Sequence, residues 1–336
     1  MGRNKRNRAA AIFLGVFALM AACAVILLSR TLHKIARVET PTDIVTVEEE
    51  SFEADEGAGE DTLDPKHMVW TTPEPQQKSP KITNILLIGQ DRRGTKGRGN
   101  SDSMIICSVN EDTNEITLVS LMRDMYVPFP GEYSDNRINA AYPFGGFPLL
   151  DRLIEEDFGV HIDGNIEVDF RSFIKVMDLI APLDVELKRY EVGYMNSGKD
   201  WYLHEGVNSL NGEQLLRYAR MRHVGHADWE RTERQRYVLR LAYEKVKDWK
   251  LTKLLELMDT VLPCLTTDMS DKEILDLLSV VAFHRMRIGA AYRLPVEGTY
   301  TSEVIRQMAV LVPDLGENGR MLQEYLYGSW YQRTAQ

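Results

Sequence analysis

Cysteine is scarce in this 336-residue chain: there are three, Cys23, Cys107 and Cys264. So few, without paired spacing, exclude a disulfide-built scaffold. Cys23 lies in an apolar N-terminal run. Cys107 and Cys264 sit in IICSV and LPCLT, which leaves one bridge between them or two buried thiols as alternatives. Surplus positive charge is missing too. The formal net charge is −10, which excludes the strongly basic character of a nucleic-acid binder. There is no Walker loop, no Ser-His-Asp order and no zinc spacing, and His204, His223, His226 and His284 make no metal pattern.

The negative charge is local. Residues 43–64 hold ten acidic side chains and no Lys or Arg, so the remainder of the chain is formally neutral. An anionic substrate is therefore compatible with the folded body. A hydrophobic content of 44% supports a sizeable core.

One long apolar run is present. Basic residues 2–8, GRNKRNR, precede the uncharged residues 9–28, AAAIFLGVFALMAACAVILL. Twenty apolar residues match a hydrocarbon core of about 30 Å. The cationic flank comes first, so the reading is a cytoplasmic tail over 1–8, a transmembrane helix over 9–29 and everything later outside the cell. That makes a single-pass protein of the cell membrane. A cleaved signal peptide is the rival, but its apolar core is usually shorter and no small-residue cleavage site follows Leu28. Residues 30–80 are acidic, then carry Pro65, Pro73, Pro75 and Pro80, and read as an extended stalk.

From Lys81 the pattern is globular, with a catalytic body expected over 81–250 and a helical C-terminal part over 251–336. ITNILLIG (82–89) is a strand buried on both faces. SMIICSVN (103–110) and EITLVSL (115–121) follow across a short polar link and predict a hairpin. Helices are expected over 147–159, closed by Gly159, over 169–181, capped by Asp169, and from Ser270 to Arg285, with one or two more within 300–326. Strands alternating with helices give an α/β fold, and the hairpin makes its sheet mixed.

The densest chemistry lies in RYARMRHVGHADWERTERQR (217–236), with Arg217, Arg220, Arg222, Arg231, Arg234 and Arg236. Guanidinium groups are planar, permanently charged and suited to bidentate phosphate contact. Asn211 and Gln214 predict a capping box for a helix ending near Ala219. Arg220 and Arg222 are then expected on an extended link, both facing one diphosphate. A second helix is expected from Asp228 to Trp249, placing Arg231 and Gln235 on one face. The rival reading is a solvated face of Arg–Glu pairs, which accounts for Arg234 and Arg236 but poorly for Arg220 and Arg222. Elsewhere, Asp91 and Asp102 bracket a glycine-rich loop and can converge as Mg²⁺ ligands, because Mg²⁺ needs only one or two carboxylates when phosphates complete its shell. Taken singly, each is better explained as a turn former or cap.

Together GQDRR, NSDSM, SLMRDMYV, RINAAY and the arginine stretch resemble, in this order and over about Thr83–Lys247, the LytR–CpsA–Psr family of membrane-anchored, mainly Gram-positive enzymes. The resemblance implies an α/β sandwich with a mixed central sheet flanked by helices and an apolar pocket for a lipid tail. It implies transfer of a phospho-glycopolymer, such as wall teichoic acid or capsule, from a polyprenyl-pyrophosphate carrier to a peptidoglycan acceptor, releasing polyprenyl phosphate. By motif position Asp91 and Asp102 correspond to the Mg²⁺ ligands, and Arg123, Arg220 and Arg222 to the pyrophosphate ligands. Arg93, Arg231 and Gln235 match further site positions, Asn139 a pocket residue, and Asp228 is the candidate base. Hydrolysis of the same carrier, or non-enzymatic binding of it by an envelope regulator, are the alternatives. One departure stands out: the family commonly has Arg directly before Ser-Asp in the second motif, where this chain has Asn100, with Arg98 two residues earlier.

Overall fold

The computed structural model describes residues 34–38, 52–76, 78–90, 99–222, 228–283 and 285–328. After a two-residue strand β1 (Ala36–Arg37), the core is laid down by β2 (Ile82–Gln90), β3 (Ser101–Asn110) and β4 (Glu115–Leu121). Pairing is antiparallel from Ile82↔Asn110 to Gln90↔Ser101 and from Met104↔Leu121 to Asn110↔Glu115, so the expected hairpin forms. The short pair β5 (Tyr126–Val127) and β6 (Asn136–Arg137) then leads into helix α1 (Ala141–Phe158). That helix starts six residues before the expected 147. It contains a kink at Gly146 with Pro148 just beyond, which hides the earlier turn from a search for unbroken periodicity. Gly159 closes it with φ +66°, as expected. A Cβ there would meet Gln323 Nε2 at 2.4 Å and Glu74 O at 2.9 Å.

Strand β7 (Gly164–Asp169) runs parallel to β2. Asp169 then caps α2 (Phe170–Ile180) by accepting from Ser172 N. A separate antiparallel pair, β8 (Leu183–Leu187) and β9 (Gly206–Leu210), encloses α3 (Arg189–Asn196). Next come α4 (Gly212–Ala219), α5 (Asp228–Val246), α6 (Leu251–Val261), β10 (Thr266–Thr267) and α7 (Asp271–Phe283). The chain continues through β11 (Arg287–Leu294), β12 (Tyr300–Ile305), β13 (Met308–Pro313) and α8 (Leu315–Tyr327).

The main sheet has the order β1-β10-β7-β2-β3-β4-β11 and is mixed, with β2–β7 and β4–β11 parallel. Helices cover both faces. Leu150 and Leu153 of α1 and Leu322 and Leu326 of α8 bury against Leu86, Ile106 and Val119. On the other side Leu239 and Tyr243 of α5 and Leu277 of α7 cover Ile105, Val109 and Leu118. A second core joins α2, α4 and α5 to the β8–β9 pair through Met177, Val185, Leu215 and Val238. This is the expected α/β sandwich.

Two expectations are corrected. The second half of the supposed stalk is packed: Phe52, Leu63, Met68 and Trp70 cover Tyr126, Ile305, Met308 and Val310. Its few apolar residues are spaced irregularly, so no period betrays them. The part over 251–336 is not only helical, since β11 extends the main sheet and β12–β13 form a hairpin. Of the two alternatives for Cys107 and Cys264 the structure has free thiols, and burial pushes the Cys107 thiol up to about 12. The expected membrane span lies outside the described residues, and among the described ones no helix is long and apolar enough to cross a membrane.

Candidate functional site

The site is built where β3, the turn after β4, the end of α4 and the start of α5 meet. The capping box forms: Asn211 accepts from Gln214 N, and Gln214 accepts from Asn211 N. Helix α4 ends at Ala219, as expected, but Arg220 is not extended. It is the C-cap, with φ −98° and ψ −2°, and its N–H still donates to Leu216 O. The extended-link reading is thus corrected at Arg220. Arg220 and Arg222 nevertheless line one cavity of about 590 Å³, because the chain leaves the helix directly after Arg220.

Asp102, Arg123, Arg231 and Gln235 line the same cavity. Asp102 Oδ1 receives Arg123 Nη1 at 2.8 Å and Arg222 Nη2 at 3.2 Å. Arg231 Nη1 stands 2.8 Å from Asp228 Oδ1, and Arg222 Nε lies 3.8 Å from that same oxygen. Two carboxylates thus hold three guanidiniums in one array. Burial pushes Asp102 up, but Arg123 and Arg222 outweigh it and hold its carboxyl below the ordinary range. Burial lowers Arg231 to about 10, Asp228 raising it and Arg222 and Arg123 lowering it further. The Nε of Arg231 is buried without a hydrogen-bond acceptor among the described residues, and that of Arg123 has only an ion-pair contact, 3.3 Å from Asp124 Oδ1. Buried, unmatched guanidinium donors beside a cavity suit an anionic guest.

A second cavity, of about 240 Å³, opens behind the first, lined by Leu87, Ile105, Val168, Phe173 and Met177 among others. The two share Ser103, Phe170, Leu216, Arg220 and Gln235 as a wall. Ser103 Oγ donates to Gln235 Oε1 at 3.0 Å, and the Arg220 guanidinium lies 4.1 Å from the centre of the Phe170 ring. A charged chamber and an apolar one therefore meet at a single partition.

Not every expected residue reaches the cavity. Asn139 is buried beside it, its carbonyl accepting from Ser101 Oγ at 3.3 Å. Asp91 and Arg93 lie outside the described residues, as does Arg98. Asn100, at the departure from the family motif, donates from Nδ2 to Glu53 Oε2 at 2.8 Å. Arg234 is structural: it is 3% exposed and binds Glu191, Glu230 and Met221 O. Arg234 does pair with glutamates, as the rival reading has it, but in the interior rather than on a solvated face, and Arg236 donates to Ser120 Oγ instead. Tyr194, Lys199, Trp201, Glu213 and Arg217 line the outer end of the first cavity. Arg217 is one of the six arginines of the stretch; sequence reasoning missed the others as site residues, Tyr194, Lys199 and Trp201 because only the β8–β9 pair brings α3 and the segment after it beside α4.

A divalent ion fits this donor set in part. Among the described residues no group of three or more His, Cys, Asp or Glu could hold a metal. Mg²⁺ needs fewer, and Asp102 offers a hard, ionised oxygen whose two guanidinium contacts both fall on Oδ1.

The model of the LytR_cpsA_psr family matches residues 45–314. The polyisoprenyl-teichoic acid–peptidoglycan teichoic acid transferase TagU of Enterococcus faecalis is 30% identical over 221 residues, 64% of this chain and 70% of that protein. The regulatory protein MsrR of Staphylococcus aureus is 31% identical over 176 residues, and the chain spans about half of its length, 52% of each. Among solved structures, TagT bound to LIIa-WTA superposes with a TM-score of 0.61 at 22% identity, covering 75% of this chain and 94% of that one. Bacillus subtilis TagV gives 0.59 at 25% identity, covering 74% and 98%. This chain belongs to the LytR–CpsA–Psr family.

Proposed function

We propose that this LytR–CpsA–Psr protein is a phosphotransferase that moves a phospho-glycopolymer from a polyprenyl-pyrophosphate carrier to peptidoglycan, releasing polyprenyl phosphate. The observation that carries the reading is the shared partition. An arginine-lined chamber and an apolar one, divided by Arg220, Gln235 and Phe170, match a molecule with a diphosphate head and a hydrocarbon tail. The TagU relative, named for this class of reaction, supports it.

Phosphoryl transfer asks little covalent help of a protein and much charge stabilisation and alignment. Arg123, Arg220 and Arg222 hold the diphosphate and stabilise charge as it gathers on the leaving polyprenyl phosphate. The acceptor hydroxyl oxygen bonds to the phosphorus that carries the glycan. The bridging P–O bond breaks, and its electrons leave with the lipid phosphate. Asp228, held by Arg231 at the start of α5, takes the hydroxyl proton. Arg231 keeps Asp228 turned toward the guanidiniums, and Gln235 fixes the partition through Ser103. Mg²⁺, held by Asp102 and, by motif position, Asp91, would neutralise diphosphate charge when bound. Arg93 and Asn139 complete the substrate-binding set by motif position. The apolar run at residues 9–28 would anchor the chain in the cell membrane with this domain outside.

The test is a two-arm assay. Full-length protein in detergent micelles, Mg²⁺ and lipid-linked glycan are incubated with or without peptidoglycan oligomers. Polyprenyl phosphate appearing only with the acceptor, alongside linked glycan, is expected. Equal release in both arms would mean hydrolysis, and no release in either would overturn the reading.

A further inference from the structure

The acidic segment before the body comes close to the site. Phe52 packs into the cluster formed by Tyr126, Ile305, Met308 and Val310, and Arg306 lies over its ring at 4.1 Å. From that anchor two carboxylates reach inward. Glu53 Oε2 accepts from Asn100 Nδ2 at 2.8 Å, two residues before Asp102. Asp55 forms a two-pronged ion pair with Arg137, Nη2 on Oδ2 and Nη1 on Oδ1, and its Oδ2 also accepts from Ala309 N at 2.9 Å.

Arg137 is 7% exposed, so its guanidinium is shielded from solvent, while the Asp55 side chain is 42% exposed and reaches it from the surface. Its Nε lies 3.9 Å from Asp124 Oδ1, the atom that stands 3.3 Å from Arg123 Nε. Arg123 Nη1 in turn meets Asp102. Charges therefore alternate without a break along Asp55, Arg137, Asp124, Arg123 and Asp102. Without Asp55, Arg137 would be a buried cation whose remaining carboxylate is Asp124, and Asp124 would be drawn from Arg123. Burial pushes Asp55 up, yet Arg137 and the Ala309 N–H hold it below the ordinary range, and the charge of Arg123 is felt there too.

We propose that residues 53–55 are a positioning strap: Asp55, through Arg137 and Asp124, sets Arg123 for the diphosphate, while Glu53 sets the Asn100 end of the strand that carries Asp102. The acidic segment is then part of the catalytic apparatus rather than a spacer. At the position where the family commonly carries Arg, Asn100 supplies an amide to Glu53 in place of a charge. The strap rests on the diphosphate reading of the cavity.

Inorganic pyrophosphate binding to the full-length protein, with Mg²⁺ and measured calorimetrically, tests it. Asp55→Asn is expected to weaken binding about tenfold, and Asp55→Glu to restore most of it. In an Arg123→Ala background Asp55→Asn is expected to add nothing, because its effect passes through Arg123. A merely structural role would weaken both backgrounds alike, and that result, or no loss in the wild-type background, overturns the proposal. Should Asp55→Asn fold poorly, Glu53→Gln serves instead. It is expected to weaken binding severalfold alone and not at all beside Asn100→Ala, and equal losses in both backgrounds would overturn its part. Wild-type protein that binds pyrophosphate but transfers no glycan would refute the transferase reading and leave the strap intact. Wild-type protein that does not bind pyrophosphate refutes both.

Discussion

Ser103 Oγ and Gln235 Oε1 are joined across 3.0 Å, and that bond ties β3 to α5 at the wall the two chambers share. On one side of it lie permanent charges, on the other a hydrocarbon lining. The predictions below treat the two sides separately.

Arg220→Ala and Arg222→Ala remove a guanidinium from the charged chamber. By analogy with loss of one oxyanion donor, each is expected to cost about 2–4 kcal/mol of transition-state stabilisation, roughly 30- to 1000-fold in kcat. Steady-state release of polyprenyl phosphate checks it. A rise in KM with kcat unchanged would mean these arginines hold the ground state and transition state equally.

Val176→Trp should narrow the apolar chamber. Donors with long polyprenyl chains are expected to show a KM raised about tenfold, while a donor with a short isoprenoid tail changes little. A series of chain lengths assayed with wild type and variant makes the comparison.

Glu191 and Arg234 form a buried pair at 2.8 Å, with side chains 2% and 4% exposed. Glu191→Ala leaves the Arg234 charge buried with Glu230 as its remaining carboxylate, and should cost about 3–5 kcal/mol of stability. Denaturant melts would measure it. This loss is structural, in contrast to Arg220, whose removal should leave the melting midpoint nearly unchanged.

Asp157 is 4% exposed, and its Oδ2 has no hydrogen-bond partner among the described residues. Burial first, then Glu156 and Asp135, raise its carboxyl to about 8. A raised folded-state value stabilises fully below the unfolded value near 4, and that contribution is lost as pH rises to about 8. Asp157→Asn should therefore gain on wild type as the pH is raised from 5 to 9, by up to about 4 kcal/mol, seen as a higher melting temperature. Parallel melts at the two pH values settle the sign.

Much of the sheet was legible because local signals agreed. ITNILLIG is apolar enough for a doubly buried strand, and the polar link Glu111–Asn114 marks its neighbours as a hairpin. The capping residues Asp169, Asn211 and Ser270 all cap as read. The β12–β13 hairpin was not legible. Its two-residue turn, Arg306–Gln307, has φ of +52° and +61°, yet lacks the Asn or Gly that usually announces such a turn. Strand β11 was missed because its pairing with β4 is parallel and distant in sequence, so no turn signals it. In the site, residue type marked the arginines and Asp102. Spacing from Glu230 set Arg234 apart from Arg220, but it could not show that Arg234 is buried, because that depends on Glu191, which β8–β9 and α3 bring in from more than forty residues away. Nor could it place Glu53 and Asp55, which read as solvated acidic residues until Arg137 and Asn100 are seen beside them.

The most direct measurement is a crystal structure of the protein soaked with a polyprenyl pyrophosphate and Mg²⁺. The account predicts the diphosphate bound by Arg123, Arg220 and Arg222, the metal on Asp102, and the first isoprene units beyond Phe170 among Leu87, Val168 and Phe173. A lipid lying elsewhere, or a diphosphate that bypasses these three arginines, would contradict it.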